Sequence, residues 1–549
     1  MIVLLTAIAA AAAPDKPHVL FMISDDLRPT LGAYGSQALT PNIDALASCG
    51  LTFSRAYAQF PWCSPSRQSF LSGRRPDHTK AWNFLVSFRD ALPHAVSLPE
   101  HFRRAGWHAA SVGKIYHGAN CVRGDAGCCA ANATFEECVQ QPADADYGPH
   151  GNRSWDERPV DFPRVQCPSD VQWCESARPE SDYCDANVAD AAIARLHAHA
   201  AAAANGQSQP LFLAVGFRDN HLKWAAPKRF RDLFDPATLR ATTHRGSPAF
   251  GGAAAVPKVA WQWTGVVMLD YNLTVDSPLA SAEVHEALRS YMAAIAFTDA
   301  QVGRVTAALA EVGFASNTLV VFTSDHGQNL GEHNTWGKMT AWEPSLRVPL
   351  IIRAPWKPKA RGAVHGGMAE LVDLYKTMSD LCGLAAASVD KGVQGESLVD
   401  VFDDPSRAGQ VHAFSQTQRV SIRWLKAHPP FRTGPLYEAL PTEADSFFDP
   451  SCFTPASDLE WMGYSLRTAQ WRFTEWFVWN GTAERPILPP ADGDGGGGAP
   501  AELYDHSDDT SLWDPDVAEF ENLVAKPELA PTVAKLRAVL RAQVSGGVA

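Results

Sequence analysis

At 549 residues the chain is long enough to bury large cores and form two or more domains, and with 46% apolar residues, 19% charged residues and 17 tryptophans it lies outside the composition of disordered proteins. A formal net charge of −13 excludes a nucleic-acid binder, which needs a basic surface to displace the counterions of the phosphates. An anionic ligand must therefore be attracted locally, by a few cations gathered in one pocket.

Residues 1–13 form an apolar run too short to span a bilayer, and its small-residue end reads as a secretory signal peptide even without a basic start. No later segment is apolar for long enough to cross a membrane. His18 to Ser24 is a continuous apolar run of strand length, which suits a parallel sheet covered on both faces. It ends in Asp25-Asp26, at the strand end where open α/β sheets place their ligands. Thr40 and Pro41 start a helix. In Cys63-Ser64-Pro65-Ser66-Arg67, Ser64 suits an N-cap, Pro65 the first helical position and Gly73 a C-terminal stop, so a short helix is predicted with Cys63 at its mouth. Free backbone N–H groups and the positive end of the helix dipole converge there, and Arg67, one turn in, adds donors matched to a tetrahedral oxyanion.

Further strands are predicted over 108–115, 210–217, 318–323 and 348–352, with helices over 187–204, 282–312 and 373–384 between and after them. That alternation indicates an α/β domain built on a large covered sheet. The Trp-, Pro- and Gly-containing loops 118–185 and 223–278 are the expected walls of a cleft. Composition changes near Asp403-Asp404-Pro405, after which 411–416, 462–467 and 471–479 read as antiparallel strands, 493–498 as a glycine turn and 527–544 as a closing helix. The expected division is a signal peptide over 1–13, a catalytic α/β domain over 14–405 and a C-terminal α+β subdomain over 406–549.

Seven of the eleven cysteines (Cys121, Cys128, Cys129, Cys138, Cys167, Cys174 and Cys184) fall in one loop-rich region, which suggests local disulfides. If Cys63 is set aside, ten remain, an even number that could all pair. A zinc site is the competing reading, but paired C-x-x-C motifs are missing. Sequons at Asn132, Asn152, Asn272 and Asn480 agree with passage through the secretory pathway.

The run from Cys63 to Arg67, continued by Leu71-Ser72-Gly73-Arg74, resembles the signature of the type I sulfatases, C-x-P-S-R followed by L-[ST]-G-R, whose cysteine is oxidised after translation to formylglycine. Four further pieces follow the family's order: Asp25-Asp26, Gly113-Lys114 with His117, His221 after a strand, and Ser324-Asp325-His326-Gly327 with Lys338 beyond it. The resemblance extends to Met462–Thr468 and Glu502–Asp505 and so covers most of the chain. Asp25-Asp26-Leu27-Arg28-Pro29, the spacing from Lys114 to His117, and His326 are similar to the iduronate-2-sulfatase subgroup.

The resemblance implies an alkaline phosphatase-like fold, with a large mixed sheet covered by helices and a smaller C-terminal antiparallel sheet. It implies a sulfuric ester hydrolase acting on sulfated carbohydrates, matured by the formylglycine-generating enzyme and secreted or lysosomal. One calcium, or magnesium, is expected on Asp25, Asp26, Asp325, His326 and the hydroxyl derived from Cys63, with His326 the odd nitrogen among hard oxygens. Arg67, Lys114, Lys338 and His221 are expected to neutralise the sulfate oxygens, His117 to take a proton from the second hydroxyl, and His221 or Lys338 to protonate the leaving alcohol. Asp219, Asn220, Gln328 and Met339 depart from the subgroup at positions that face its sugar, which puts recognition of a uronate in doubt. Two rivals remain: a two-zinc phosphatase or phosphodiesterase of the same fold, for which a second ligand set is missing, and an inactive glycan-binding relative in which Cys63 stays a thiol.

Overall fold

The computed structural model describes residues 15–84, 86–117, 154, 156, 165, 167, 171–176, 178–207, 209–246, 248, 255–262, 271, 277–384, 389–420, 454–489, 499–509 and 519–546. Seven strands form one mixed sheet: β1 (His18–Ser24), β2 (Leu51–Tyr57), β3 (His108–Gly113), β4 (Leu211–Phe217), β5 (Thr318–Ser324), β6 (Arg347–Arg353) and β7 (Ala363–Glu370). Their order is β7-β2-β6-β5-β1-β4-β3, and β6 alone runs antiparallel to its neighbours. β4 and β5 are buried from end to end, as continuous apolar runs in the middle of a covered sheet require.

Alternation along β1 divides the core. Leu20 and Met22 face α1 (Pro41–Cys49), α4 (Cys184–Ala204) and α5 (Ser281–Glu311), whereas Val19, Phe21 and Ile23 face α2 (Cys63–Ser72), α3 (Leu98–Arg104) and α6 (Leu374–Leu381). A second sheet is antiparallel throughout, in the order β8 (Ala413–Arg419), β9 (Trp461–Arg467), β10 (Trp471–Asn480) and β11 (Ala501–Asp505). The last helix, α7 (Ala530–Gly546), buries Val533, Leu536, Leu540 and Val544, one stripe at helical spacing. Arg537 and Arg541 of α7 both reach the buried carboxylate of Glu475 in β10.

Several expectations change. Ser64 is not the cap of α2: Cys63 is already helical, Trp62 holds the extended cap position, and the Ser64 hydroxyl accepts from Gln68 Nε2 at 2.8 Å inside the helix. Gly73 does end α2, at φ 66°. β2 and β7 were not expected as strands. The polar residues Thr52, Ser54 and Arg55 break the apolar run of β2, and Gly366-Gly367 interrupts β7 where its register against β2 shifts between His365 and Met368.

Cys167 and Cys174 form a disulfide, while Cys382 is a buried thiol in the core, so the ten remaining cysteines do not all pair. Cys121, Cys128, Cys129, Cys138, the sequons at Asn132, Asn152 and Asn272, the glycine run 493–498, residues 1–13, most of the loop 118–185 and part of the loop 223–278 lie outside the described residues. Among the described residues, no helix is long and apolar enough to cross a membrane.

Candidate active site

The C-terminal ends of β1 and β5 meet the first turn of α2. Asp25 follows β1 and is held by its N–H to the carbonyl of Phe217 at the end of β4, 3.0 Å. Asp26 turns into the left-handed region at φ 53°, which costs about 1 kcal/mol for a short polar side chain. Four contacts hold the turn: Asp26 N–H to Asp325 Oδ1 (3.2 Å), Tyr291 O–H to the Asp26 carbonyl (2.8 Å), Leu27 N–H to Ser324 Oγ (2.9 Å), and Ser324 O–H to the Ser24 carbonyl (2.7 Å). Arg28 then pairs with Glu332 at 2.6 Å and donates to the Gln328 carbonyl, so the Leu-Arg-Pro and Gly-Glu-His segments brace one another. At β3, Gly113 turns at φ 73°, where a Cβ would lie 2.1 Å from the Gly216 carbonyl; glycine lets Lys114 swing into the site.

Around Cys63 Sγ lie Lys338 Nζ at 3.1 Å, His326 Nε2 at 3.3 Å and Asp26 Oδ1 at 3.8 Å. Lys338 Nζ also bonds Asp26 Oδ1, and Lys114 Nζ bonds Asp25 Oδ2, each at 2.6 Å. His221 Nε2 stands 3.9 Å from Asp26 Oδ2. The cluster opens on that side: His221 is 24% and Lys338 11% exposed, while Asp25, Asp26, Arg67, Asp325 and His326 are enclosed.

Charge balance sets protonation. Burial would raise the Asp25 carboxyl, but Lys114 and Arg67 hold it well below its ordinary range. Burial raises the Asp26 carboxyl despite Lys338 and His326, and repulsion from Asp25 and Asp325 adds to the rise. Burial, helped by Asp25, pushes the Cys63 thiol far up, so the unmodified cysteine stays protonated and a poor nucleophile. Burial and then Lys114 lower His117 well below 6.5, which leaves a neutral imidazole.

The family model described as Sulfatase matches residues 17–384. This chain belongs to the sulfatase family. It is 28% identical to the iduronate 2-sulfatase of Homo sapiens over 526 residues, covering 86% of this chain and 87% of that one. The choline-sulfatase of Rhizobium meliloti is 26% identical over 402 residues, 72% of this chain and 73% of its own. Among solved structures, a 2-O GAG sulfatase superposes with a TM-score of 0.65 at 18% identity, over 97% of this chain and 92% of that one, a likeness of fold. The alkaline phosphatase-like architecture and the assignment as a sulfuric ester hydrolase follow.

The structure of this sulfatase redistributes the expected roles. Arg67 was expected on the sulfate, yet four of its five N–H groups are taken: by Asp325 Oδ2 (2.8 Å), Asp25 Oδ1 (3.2 Å), and the carbonyls of Lys114 and Ile115. Arg67 is a fully buried brace that fixes both carboxylates and the Lys114 turn. The Ser66 hydroxyl, donating to the Asp325 carbonyl, ties the same helix to β5. His117 joins the cluster through Phe84, which stacks on it at 4.1 Å and leans on Trp62 beside Cys63.

Asp219 and Asn220 were expected at the sugar, but they are buried and turned inward. Asp219 Oδ2 accepts from Asp185 N–H (3.1 Å), and Asn220 Nδ2 donates to Ser24 Oγ (2.7 Å). Met339 is likewise packed into the core, its carbonyl accepting from Gln262 and from Thr417 of β8. Of the four departures, Gln328 alone keeps polar side-chain atoms, Oε1 and Nε2, that are buried without a partner among the described residues. Asp185 and Thr298 were missed by the sequence reading; they contact the loop that carries His221, and their only sequence signal was an acid in the first turn of α4.

The donor set fits one hard divalent cation. Asp25, Cys63, Asp325 and His326 offer ligand atoms all within 4.8 Å of one another, as do Asp25, Asp26, Cys63 and His221, and the shared Asp25 and Cys63 make these a single site. His326 Nδ1 faces the Gly327 carbonyl at 2.8 Å, which leaves the Nε2 lone pair toward the carboxylates. The Lys338 ammonium against Asp26, and the raised Asp26 carboxyl, mark the negative charge that such an ion would balance.

Proposed function

We propose that this sulfatase hydrolyses sulfate monoesters of carbohydrates, using a formylglycine made from Cys63 by the formylglycine-generating enzyme and one calcium or magnesium ion held by Asp25, Asp26, Asp325 and His326. The observation that carries it is the convergence on one buried thiol of three carboxylates, two lysines and a histidine, where the thiol itself is held protonated. Formylglycine as its hydrate supplies two hydroxyls on one carbon, one to attack sulfur and one to expel sulfate, and the cation favours deprotonation of the attacking one.

The remaining work belongs to the protein's own side chains. Lys338 and Lys114 are point charges whose ammonium groups can turn from Asp26 and Asp25 onto the sulfate oxygens as charge builds there. Arg67 keeps both carboxylates in place during that exchange. His221 carries its proton on Nδ1 toward the Leu222 carbonyl, so Nε2 faces the cluster on its open side. As the sulfur–oxygen bond to the alcohol breaks, the protonated His221 gives its Nε2 proton to that oxygen. His117, kept neutral by burial, acts as the base that removes a proton so that sulfate can leave.

The similarity to an iduronate 2-sulfatase and a 2-O GAG sulfatase supports a sulfated sugar as substrate. We place the enzyme in the secretory pathway, secreted or lysosomal; the apolar residues 1–13 and the Cys167–Cys174 disulfide support this.

The test is sulfate release from a panel of sulfated mono- and oligosaccharides by protein co-expressed with the formylglycine-generating enzyme, beside phosphate and phosphonate esters. Sulfate release that chelation abolishes and calcium restores is expected, with Asp25→Ala and Asp325→Ala losing both ion and activity. Turnover confined to phosphate or phosphonate esters, with two zinc ions per chain, would establish the phosphatase rival. Glycan binding by aldehyde-bearing protein without any turnover would establish the inactive relative.

A further inference from the structure

His221 stands on a short loop, and the loop is clamped from behind by two residues outside the ligand cluster. Asp185, in the first turn of α4, accepts at Oδ1 from the N–H groups of Arg218 (2.6 Å) and Asp219 (3.3 Å). Asp219 returns the contact, its Oδ2 accepting from Asp185 N–H at 3.1 Å. The pairing is reciprocal, like a capping box, except that it joins a helix start to a loop 33 to 34 residues away in sequence. Thr298, in the middle of α5, donates its hydroxyl to Asp185 Oδ2 at 2.6 Å and lies 3.4 Å from Asn220 Oδ1. The Asn220 carbonyl accepts from Trp224 Nε1 at 2.8 Å, and His221 N–H closes the turn on the Arg218 carbonyl at 3.0 Å. Asp185, Asp219, Asn220 and Thr298 are all at most 2% exposed, whereas His221 at the tip is 24% exposed.

A buried carboxylate that spends its lone pairs on loop N–H groups is costly to place beside a second carboxylate. Burial and then Asp219 push the Asp185 carboxyl well above its ordinary range, so the pair is kept at the expense of stability. What the pair secures is the path of residues 218–221. A general acid must meet the leaving oxygen within hydrogen-bond reach, and small displacements of such a group cost large factors in rate.

We propose that Asp185, supported by Thr298, is a positioning residue of the sulfatase reaction that fixes the 218–221 loop so that His221 Nε2 reaches the departing oxygen. The inference rests on the reading of His221 as the acid for the leaving alcohol. In that step the sulfur–oxygen bond breaks, its electron pair stays on the alcohol oxygen, and the proton from His221 Nε2 neutralises it.

A leaving-group comparison tests it. Asp185→Ala, Asp185→Asn, Thr298→Val and His221→Ala are each assayed on 4-nitrophenyl sulfate, whose phenolate leaves without help, and on the best sulfated sugar, whose alkoxide does not. His221→Ala should lose about 10²-fold or more in kcat on the sugar ester and far less on the aryl ester. Asp185→Ala should show the same split at about tenfold or more, and Thr298→Val a smaller one. Asp185→Asn keeps an oxygen for both N–H groups and should restore most of the ratio. Equal losses of Asp185→Ala on both esters, with His221→Ala still selective, would overturn the positioning role and leave His221 as the acid. A His221→Ala variant without the split would overturn the acid assignment and this inference with it. If Asp185→Ala fails to fold, the ratios for Asp185→Asn and Thr298→Val decide: a split that grows with the number of lost contacts supports the clamp, and none in Thr298→Val refutes it.

Discussion

Two buried clusters of charge, one around Cys63 and one at the junction of the two sheets, each bring at least three possible metal ligands together, and they differ in the cations that face them. At the junction, Glu343, His506 and Glu519 bring ligand atoms within 4.8 Å of one another, as the Cys63 cluster does. There, however, planar guanidinium forks fill the space. Arg467 bonds Glu343 at 3.0 Å and Asp509 at 3.2 Å; Arg472 bonds Glu343 and, at 2.6 Å, Glu519; Tyr57 of β2 donates to Glu343 at 2.8 Å. Around Cys63 the arginine is turned inward as a brace, and the groups left at the opening are Lys338 and His221. An arginine fork saturates a carboxylate and locks it, whereas an ammonium can be handed from a carboxylate to an incoming anion. The choice of cation separates a joint from a site.

That contrast predicts a double dissociation. Lys338→Met should lower kcat on any sulfate ester by about 10²-fold or more while the thermal midpoint moves little, since Lys338 stands on the open side of the cluster, where water can replace its contact with Asp26. Calorimetry on the same sample that gives the rates checks both halves. Conversely, Glu343→Ala leaves Arg467 and Arg472 buried without their shared partner. Denaturant unfolding should show a loss of about 3–5 kcal/mol, with kcat of the folded fraction within about twofold of the parent. A Glu343→Ala enzyme of normal stability and no activity would erase the distinction.

A smaller effect sharpens it through pH. Burial would raise Glu343 and Glu519, but the guanidiniums of Arg467 and Arg472 hold Glu343 well below 4.5, and Arg472 lowers Glu519. Burial and Arg467 would lower His506, yet its bonds to Asp509 and Glu519 leave it above 6.5. Depressed carboxylates contribute stability that is present above about pH 4.5 and lost as pH falls through their folded values; a raised histidine contributes stability present below about pH 6.5 and lost as pH climbs through its folded value. The joint is therefore firmest between those limits, and thermal midpoints should fall on either side. His506→Gln should flatten the alkaline limb and keep the acid one. Least in size, Gln328→Ala should change KM more than kcat on sulfated sugars, because a buried amide without a partner among the described residues gains most from a substrate hydroxyl.

The site was more legible than the frame that holds it. Asp25-Asp26, Lys114 and Asp325-His326 follow apolar runs that read as strands in the sequence, and they meet because those strands lie close together in one sheet, whereas Cys63 and Lys338 were legible only through the motifs that contain them. The role of Arg67 was not legible, because its direction depends on two carboxylates and two carbonyls from three other strand ends. Asp219 and Asn220 looked like substrate contacts for the same reason: adjacency to His221 in sequence says nothing about which way a side chain turns, and Asp185 and Thr298, distant in sequence, decide it. β2 and β7 escaped because a strand with a bulge and a glycine pair carries no clean alternation.

The central claim concerns Cys63. A serine in its place has one hydroxyl, so Cys63→Ser should become sulfated once and stop, and Cys63→Ala should do neither. The most direct measurement is the mass of the peptide that spans Cys63, taken with turnover on a sulfated sugar across preparations co-expressed with increasing formylglycine-generating enzyme. The account predicts a species in which one oxygen has replaced the sulfur and two hydrogens, and a rate proportional to its fraction. Full turnover by protein whose Cys63 remains a thiol would contradict it.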